Sequence, residues 1–309
     1  MGFNQYHEPR GKRSAHSRRK FLHNSAIIAT GGILLSSPFK IKASPQKKWT
    51  VGEIIDLFLK EVKGAPFSET VDTLKSGSRD TEVTGIVTTM FATIPVIRKA
   101  IEAKANFIIA HEPTFYNHQD NTDWLKDDKV FEYKSALLKD NNITVWRNHD
   151  YIHSHHPDGV MDGVIERLGW RQHLKNGDSF FEIPETSLND LIAHCRKKLG
   201  ISNVRYIGEL SDKCRKVLLM PGAAGGRSQI LNTGKMQPDV LLVGELSEWE
   251  TAEYVRDARA AGNKLSLIVL GHADSEEPGS KYMAEWLKKN VQGMNVIQVP
   301  AGNPFKFAK

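Results

Sequence analysis

From residue 49 onward the chain alternates short runs rich in Val and Ile with segments of helical period, and few architectures accommodate this alternation. The apolar runs predict buried strands at residues 83–89, 106–110, 143–147, 204–207, 216–220, 240–243, 265–270 and 295–299. The segments between them predict helices at residues 51–62, 94–103, 131–140, 158–168, 188–199, 247–261 and 279–289. Strands separated by helices at this spacing indicate an α/β protein with largely parallel sheets.

A polar stretch near the middle of the alternating region suggests where the chain divides. Residues 171–186 lack a long apolar run. We therefore predict a boundary there between a first lobe, residues 49–170, and a second lobe, residues 171–309. Each part is long enough to bury an apolar core of its own.

Residues 1–43 show the order of features that is typical of an export signal. Arg18 and Arg19 precede an apolar pair, an apolar run occupies residues 26–35, and Ala43 is a small residue at a plausible cleavage point. The apolar run is too short to cross a bilayer as a stable helix. We therefore predict a twin-arginine signal peptide, recognised by the twin-arginine export machinery, and a mature protein that is periplasmic or secreted.

The positive charge of the chain lies almost entirely in that leader. The full sequence has a formal net charge of +6, from 42 Lys and Arg residues against 36 Asp and Glu residues. Residues 1–43 contain eight of the basic residues and one acidic residue, so residues 44–309 carry a net charge of −1. The mature part therefore lacks the basic excess typical of nucleic-acid-binding proteins, and we expect no nucleic-acid partner and no stable membrane span.

The sequence contains two cysteines, Cys195 and Cys214. In an oxidising periplasm they could form one disulfide, but two cysteines alone do not decide the pairing. Both are treated as structural residues by default.

Four of the predicted strands end beside a His, Asp or Glu. In an open parallel sheet, ligands gather at the carboxyl ends of the strands, so these side chains are expected at one edge. The strand-end residues are His111 and Glu112, His149 and Asp150, Glu245, and His272.

Two spacings strengthen the prediction of a metal site. His272 and Glu276 are four residues apart and share one face if that segment is helical. His149, Asp150 and His153 form a second compact group. Imidazole and carboxylate ligands without thiolates suit zinc, iron or manganese. More such groups are present than one ion needs, which favours two divalent ions, on the order of 3.5–4 Å apart in known two-metal sites.

Desolvation at one sheet edge would be too costly for so many polar groups unless an ion compensates them. Asp150 and Glu245 are candidates for orienting a ligand or for acting as a general base. The predicted metal ligands are His111, Glu112, His153, His272 and Glu276. Residues 221–226 form a glycine-rich turn that either binds an anion or reverses the chain tightly beside this edge.

The order of these motifs resembles the Nif-three-like family of dinuclear metal centre proteins, some of whose bacterial members are labelled type 2 GTP cyclohydrolase I. The resemblance spans residues 49–300 and is most specific over residues 220–276. The motifs are His-Glu-Pro at 111–113, Asp-Gly-Val at 158–160, Leu-Gly at 168–169, the glycine-rich turn, Gly-Glu at 244–245, and Gly-His-x-x-x-Glu at 271–276 followed by Gly279.

The resemblance implies two similar α/β lobes, with mixed, mostly parallel sheets flanked by helices, that face each other across a metal-binding cleft. It also implies a homohexameric ring and two metal ions held by His, His, Asp, His and Glu. By motif, the first His is His111, and the last His and Glu are His272 and Glu276. The family's second His is replaced by Glu112 and its Asp by His153. Both replacements can bind a metal.

These observations predict an exported, metal-dependent hydrolase with a dinuclear site. The expected substrate is a small molecule that contains a phosphoester, a nucleotide or a cyclic amide. The alternative is a non-catalytic, ring-forming scaffold or regulator, which would bind metal without hydrolysing such compounds.

Overall fold

The computed structural model describes residues 47–175, 177 and 179–308. The predicted signal peptide, residues 1–43, lies outside this part of the chain. Among the described residues no helix is both long and apolar enough to cross a membrane.

Ten strands and nine α-helices make up the regular structure of the described residues. The strands are β1 (Leu74–Ser76), β2 (Ile86–Thr89), β3 (Phe107–Ala110), β4 (Thr144–Arg147), β5 (Phe180–Ser187), β6 (Arg205–Ile207), β7 (Lys213–Met220), β8 (Val240–Val243), β9 (Ser266–Val269) and β10 (Val296–Gln298). The helices are α1 (Val51–Leu59), α2 (Ile94–Glu102), α3 (Lys129–Asp140), α4 (Asp150–Ser154), α5 (Gly159–Leu168), α6 (Leu188–Leu199), α7 (Gly226–Met236), α8 (Glu253–Ala260) and α9 (His272–Asn290). A π-helical turn, Glu248–Ala252, precedes α8.

The strands form two five-stranded sheets, both of them mixed. The first sheet has the order β1-β4-β3-β2-β10, in which β1 is antiparallel to β4 and the other pairs are parallel. The second sheet has the order β5-β7-β8-β9-β6, with a parallel centre and an antiparallel strand at each edge. The predicted α/β class, with two mixed and mostly parallel sheets flanked by helices, is confirmed.

Strand β3 shows how the first sheet is buried on both faces. Phe107 and Ile109 pack on one face with α1 and α9, whereas Ile108 and Ala110 pack on the other face with α2 and α3. All four side chains are buried because helices cover both faces of the sheet. Because helices pack on both faces of the sheet, the central strands are continuous apolar runs in the sequence.

The second sheet is covered by α5 and α6 on one face and by α8 on the other. Val217 and Leu219 of β7 pack with the first pair of helices, and Leu218 packs in the cluster that contains Val255 of α8. Adjacent residues of one strand therefore pack into the apolar cores on opposite faces of the sheet, because side chains alternate along a strand.

Cys195 on α6 and Cys214 on β7 belong to the same apolar core of the second sheet. Both are free thiols, and burial raises the pKa of each to about 12. Such thiols are poor nucleophiles at neutral pH, so both act as apolar packing groups.

Helices α5 and α9 pack closely against each other between the two sheets. Val160 of α5 joins the core of the first sheet, and Val164 joins that of the second. The close approach depends on glycine: a Cβ atom at Gly163 would lie 2.5 Å from the carbonyl oxygen of Pro278, and one at Gly279 would lie 3.0 Å from Val160. This contact fixes the position of α9, whose first turn borders the cleft between the sheets.

Two strands of the structure, β1 and β5, are absent from the sequence prediction. Strand β1 is only three residues long, and β5 lies in the polar stretch for which a lobe boundary is predicted. Both are edge strands, and β5 buries only some of its side chains, so neither leaves a continuous apolar run in the sequence.

The C-terminal part of the chain does not stay with the second sheet. Strand β10 pairs in parallel with β2 of the first sheet, so the chain crosses back after β9 through α9. Helix α9 also begins at His272 instead of near residue 279, because Pro278 is accommodated inside the helix. Proline disfavours helix interiors, which is why the sequence pattern places the start after it.

We expect Gly163→Ala to destabilise the protein, because the new Cβ atom would collide with the backbone of α9. The expected loss is about 1–3 kcal/mol in the free energy of unfolding, measured by urea denaturation. Gly234→Ala in α7 is the matched control, since nothing lies within 4 Å of its Cβ position. That control should stabilise the protein by about 0.5–1 kcal/mol. Equal unfolding free energies for the two variants would contradict the close packing of α5 on α9.

Candidate metal centre

The carboxyl ends of strands from both sheets border one cleft. His111 and Glu112 follow β3, His149 follows β4, and His272 opens α9 after β9. Residues that follow strands of the two sheets are in contact here, because Glu112 Oε1 lies 3.1 Å from His272 Nε2. The strand-end rule therefore brings residues far apart in the sequence to one place.

Four histidine rings in the cleft are oriented in the same way. In each ring Nδ1 donates a hydrogen bond to an oxygen atom, so Nε2 is the nitrogen that can bind a metal ion once it carries no proton. The pairs are His111 with the Asn148 carbonyl (3.2 Å), His149 with Asp150 Oδ1 (2.9 Å), His153 with Asp158 Oδ2 (2.9 Å) and His272 with Glu245 Oε2 (3.1 Å). This arrangement is the usual support of metal-binding histidines.

Local capping interactions position two of these rings. Asp158 caps α5 by accepting from two backbone N–H groups with Oδ1, and its Oδ2 orients His153. Asp72 accepts from the backbone N–H groups of His149 and Tyr151, at 2.7 and 2.8 Å, which fixes the first turn of α4. Residues needed to start two helices therefore also aim the histidines.

A buried arginine holds the Glu112 carboxylate. Arg147 is fully buried, and its Nη2 lies 3.2 Å from Glu112 Oε2. The same guanidinium donates to the backbone carbonyls of His111 and His118. Because Arg147 occupies Oε2, the other oxygen of Glu112 faces the cleft, 3.1 Å from His272 Nε2.

Glu276 lies one helical turn after His272 on α9, as their spacing predicts. Its Oε2 atom is 3.1 Å from His272 Nε2 and 3.6 Å from His111 Nε2. Gly222 allows the carboxylate to occupy this position: a Cβ atom there would lie 2.1 Å from Glu276 Oε1, and φ of Gly222 is +63°. The glycine-rich turn is thus a tight chain reversal against a predicted metal ligand.

Opposing charges set the protonation states in the cleft. Burial alone would raise the pKa of Glu112 and Glu276, but hydrogen bonds and attraction to the histidines lower both below their usual range. Burial alone would lower the pKa of His272, whereas these two carboxylates raise it to about 10. Burial and the neighbouring His111 lower the pKa of His149 to about 4. Accordingly, His272 is protonated and His149 is neutral at pH 7.

Two groups of side chains have the mutual distances that a metal ion requires. In the histidine group, His111, His149 and His153, the potential ligand atoms lie within 4.8 Å of one another. The same holds for the carboxylate group, His111, Glu112 and Glu276. Nε2 of His111 is also buried, with no hydrogen-bond partner in the part of the chain that the structure describes. An orphaned imidazole nitrogen among carboxylates fits a divalent cation of the zinc, iron or manganese type.

The five predicted ligands all lie in or beside these two groups, and Asp150 and Glu245 each hydrogen-bond the Nδ1 atom of a histidine. His149 is an additional candidate ligand that the sequence prediction did not include. Its signal was present, because it follows a strand and lies four residues before His153. Arg147 and Asp158 were also missed, since their roles arise from contacts that no local pattern records.

A cavity of about 1140 Å³ opens beside the candidate ligands. Phe91, Met161 and Met220 contribute apolar walls, and Thr114 and Lys134 contribute polar groups. The size and mixed lining suit a small organic molecule with a few polar substituents.

Comparison with known proteins gives the same architecture. A sequence profile of the Duf34/NIF3 (NGG1p interacting factor 3) family matches residues 58–304 of the chain. A relative from Clostridium perfringens, named GTP cyclohydrolase 1 type 2 homolog, is 24% identical over 249 residues, which cover 76% of this chain and 90% of the relative.

Two crystal structures share the fold over their whole length. A hypothetical protein from Staphylococcus aureus superposes with a TM-score of 0.67 at 19% identity, and a Bacillus cereus protein related to NIF3 superposes with a TM-score of 0.66 at 17% identity. Each alignment covers 85% of this chain and 100% of the other. The likeness extends over both sheets.

We expect divalent cations to bind this cleft more tightly as the pH rises. His272, with a pKa of about 10, must lose a proton before its Nε2 can bind a metal, whereas His149, with a pKa of about 4, is already neutral. Each released proton corresponds to about a tenfold gain in affinity per pH unit. Burial alone would lower the pKa of His111, but Glu276 and Glu112 raise it, so His111 contributes to the slope together with His272. Competition with a chelator of known protonation constants measures this slope, and His272→Gln should flatten it. An affinity that is independent of pH in the native protein would contradict the assignment.

Proposed function

The chain belongs to the Duf34/NIF3 (NGG1p interacting factor 3) family, and we propose that it is a metal-dependent hydrolase with a dinuclear centre. The observation that carries this proposal is the set of four histidines, each anchored through Nδ1, around the buried carboxylates of Glu112 and Glu276. A purely structural cluster would not need to anchor four histidines through Nδ1 around two buried carboxylates.

The two groups of ligand atoms support two ions. The histidine group would hold one cation, and the carboxylate group together with His272 would hold the other. The ligand types suit zinc, iron or manganese. When bound, such ions acidify water and polarise a phosphoryl or carbonyl oxygen of the substrate.

Asp150 and Glu245 have different capacities for proton transfer. Both oxygens of Asp150 are committed, one to His149 and the other to the Thr70 hydroxyl and the Val71 N–H group. Burial alone would raise its pKa, but these hydrogen bonds lower it to about 2, so Asp150 orients His149 and is a weak base. Glu245 has one oxygen on His272 and a half-exposed side chain, so it can accept a proton beside His272.

The cavity and the relatives together support the proposed substrate class. The apolar walls of the cavity favour a substrate with an organic, partly apolar structure. The candidate metal centre favours the hydrolysis of a bond whose cleavage develops negative charge on oxygen. The name of the Clostridium perfringens relative, GTP cyclohydrolase 1 type 2 homolog, refers to a nucleotide and to the hydrolysis of a ring. We propose a small molecule with a phosphoester, nucleotide or cyclic amide bond.

The test combines metal content with turnover. After loading with manganese, iron or zinc, elemental analysis of the purified protein should find about two ions per subunit. His272→Ala and Glu276→Ala should reduce the metal content and lower kcat about 100-fold or more, because each removes a ligand. The assay uses a panel of phosphoesters, cyclic nucleotides and cyclic amides.

Matched controls separate ligand loss from general damage. Glu285→Ala removes the same residue type from an exposed position on the same helix, and His173→Ala removes a histidine outside the cleft. Both should keep metal and activity. Less than one ion per subunit after loading would contradict the metal centre, and full metal content without turnover on any substrate would favour a non-catalytic scaffold.

Export through the twin-arginine route is a separate proposal. It is supported by the order of Arg18, Arg19, an apolar run and Ala43, and by the concentration of positive charge in residues 1–43. This route carries folded proteins, which suits a chain that acquires its ions before export.

We expect replacement of both Arg18 and Arg19 by Lys to prevent export. The measurement is the distribution of the protein between periplasmic and cytoplasmic fractions of a bacterium with the twin-arginine machinery. Replacing Arg10 and Arg13 by Lys is the matched control, since it changes the same residue type outside the pair. Unchanged export of the Arg18 and Arg19 variant would refute the proposed route.

A further inference from the structure

We propose that the cavity contains an anion subsite in which the Lys134 ammonium group and the Thr114 hydroxyl group bind a phosphate or carboxylate of the substrate. This inference rests on the proposed function, because it assigns the substrate of the same cleft to the class of anionic small molecules. The subsite is distinct from the candidate metal ligands, and its residues have no part in holding the ions.

Lys134 is a buried cation without a carboxylate partner. It lies on α3, only 4% of its surface is exposed, and it lines the cavity. Among the described residues no ion pair within 4.0 Å involves its Nζ atom. That atom donates to the Thr114 carbonyl at 2.5 Å and faces the rings of Tyr116 and Phe115, whose centroids are 5.2 and 5.6 Å away. A buried ammonium group with only neutral partners is poorly compensated.

The nearby acid, Asp120, compensates it only in part, because the Asp120 carboxylate is shared with two other cations. Asp120 Oδ2 lies 3.2 Å from Lys75 Nζ and 3.7 Å from the guanidinium of Arg147. Burial lowers the pKa of Lys134 to about 8, although Asp120 acts in the opposite direction. Lys134 is therefore still mainly protonated at pH 7 and would gain from an anion in the cavity.

Thr114 supplies an independent indication of a ligand. The residue is fully buried, lines the same cavity, and its Oγ1 atom has no hydrogen-bond partner among the described residues. Buried hydroxyl groups normally have a hydrogen-bond partner, so an unpartnered one beside the Lys134 ammonium group points to a ligand that accepts a hydrogen bond. An anionic oxygen group would accept from both Thr114 and Lys134.

The subsite is linked to the metal centre through the chain itself. Thr114 comes two residues after Glu112, and the Lys134 ammonium bonds to the carbonyl of that threonine. An anionic group held there places the adjoining part of the molecule beside the candidate ligands. The apolar walls of the cavity, including Phe91 and Met220, would contact the remainder. The substrate is thus an organic anion anchored on one side of the reacting bond.

The test measures anion binding separately from metal chemistry. The purified full chain is treated with a chelator and titrated by calorimetry with inorganic phosphate in one arm and with acetate in the other. We expect Lys134→Met to weaken binding about tenfold or more, since it removes a charge-assisted hydrogen bond. Thr114→Val should weaken it severalfold. Tighter binding of phosphate identifies a phosphorylated substrate, and tighter binding of acetate identifies a carboxylate.

Lys139→Met is the matched control, because it removes an exposed lysine from the same helix. It should bind the anion as the native protein does. Native affinity in Lys134→Met, or no binding of either anion by the native protein, would overturn the subsite. Should Lys134→Met fail to fold, Thr114→Val decides the question alone. Metal content is measured separately, in samples of the native protein that are loaded with manganese, iron or zinc and not treated with the chelator. Less than one ion per subunit there contradicts the hydrolase proposal but leaves the anion-binding result intact.

Discussion

The carboxylates of Glu112 and Glu276 are buried where the two sheets meet, and each negative charge has to be compensated there. Arg147 takes one oxygen of Glu112, and the imidazole of His272 lies 3.1 Å from both its other oxygen and Glu276. A proton on His272 or a divalent cation can supply the missing positive charge, and the two compete. This requirement explains why the surrounding histidine rings are held by hydrogen bonds at Nδ1.

The fold satisfies this requirement with elements that also stabilise it. Asp158 starts α5 and orients His153 with the same carboxylate. The glycine contact between α5 and α9 fixes the helix that carries Glu276, and Gly222 leaves room for that side chain. Packing between the sheets and geometry of the cleft are therefore coupled, so a change in the helix contact also moves a ligand.

Much of this arrangement was predictable because strand ends in parallel sheets converge. The buried central strands and the ligands that follow them are encoded locally, as His111 after β3 illustrates. Edge strand β5 was missed because it buries only part of its surface. The role of Arg147 was also hidden, because a guanidinium inside an apolar run gives no local sign of its distant partner Glu112.

Local sequence thus determined the α/β class, the candidate ligands and the expected helical face shared by His272 and Glu276. These depend on periodicity and on residues a few positions apart, which a sequence records directly. Only the tertiary structure decided that β10 returns to the first sheet and that Asp150 has both oxygens occupied. It also decided that Lys134 is buried with no ion pair within 4.0 Å among the residues that the structure describes. Those facts depend on burial and on contacts between distant segments, which exist only once the chain has folded.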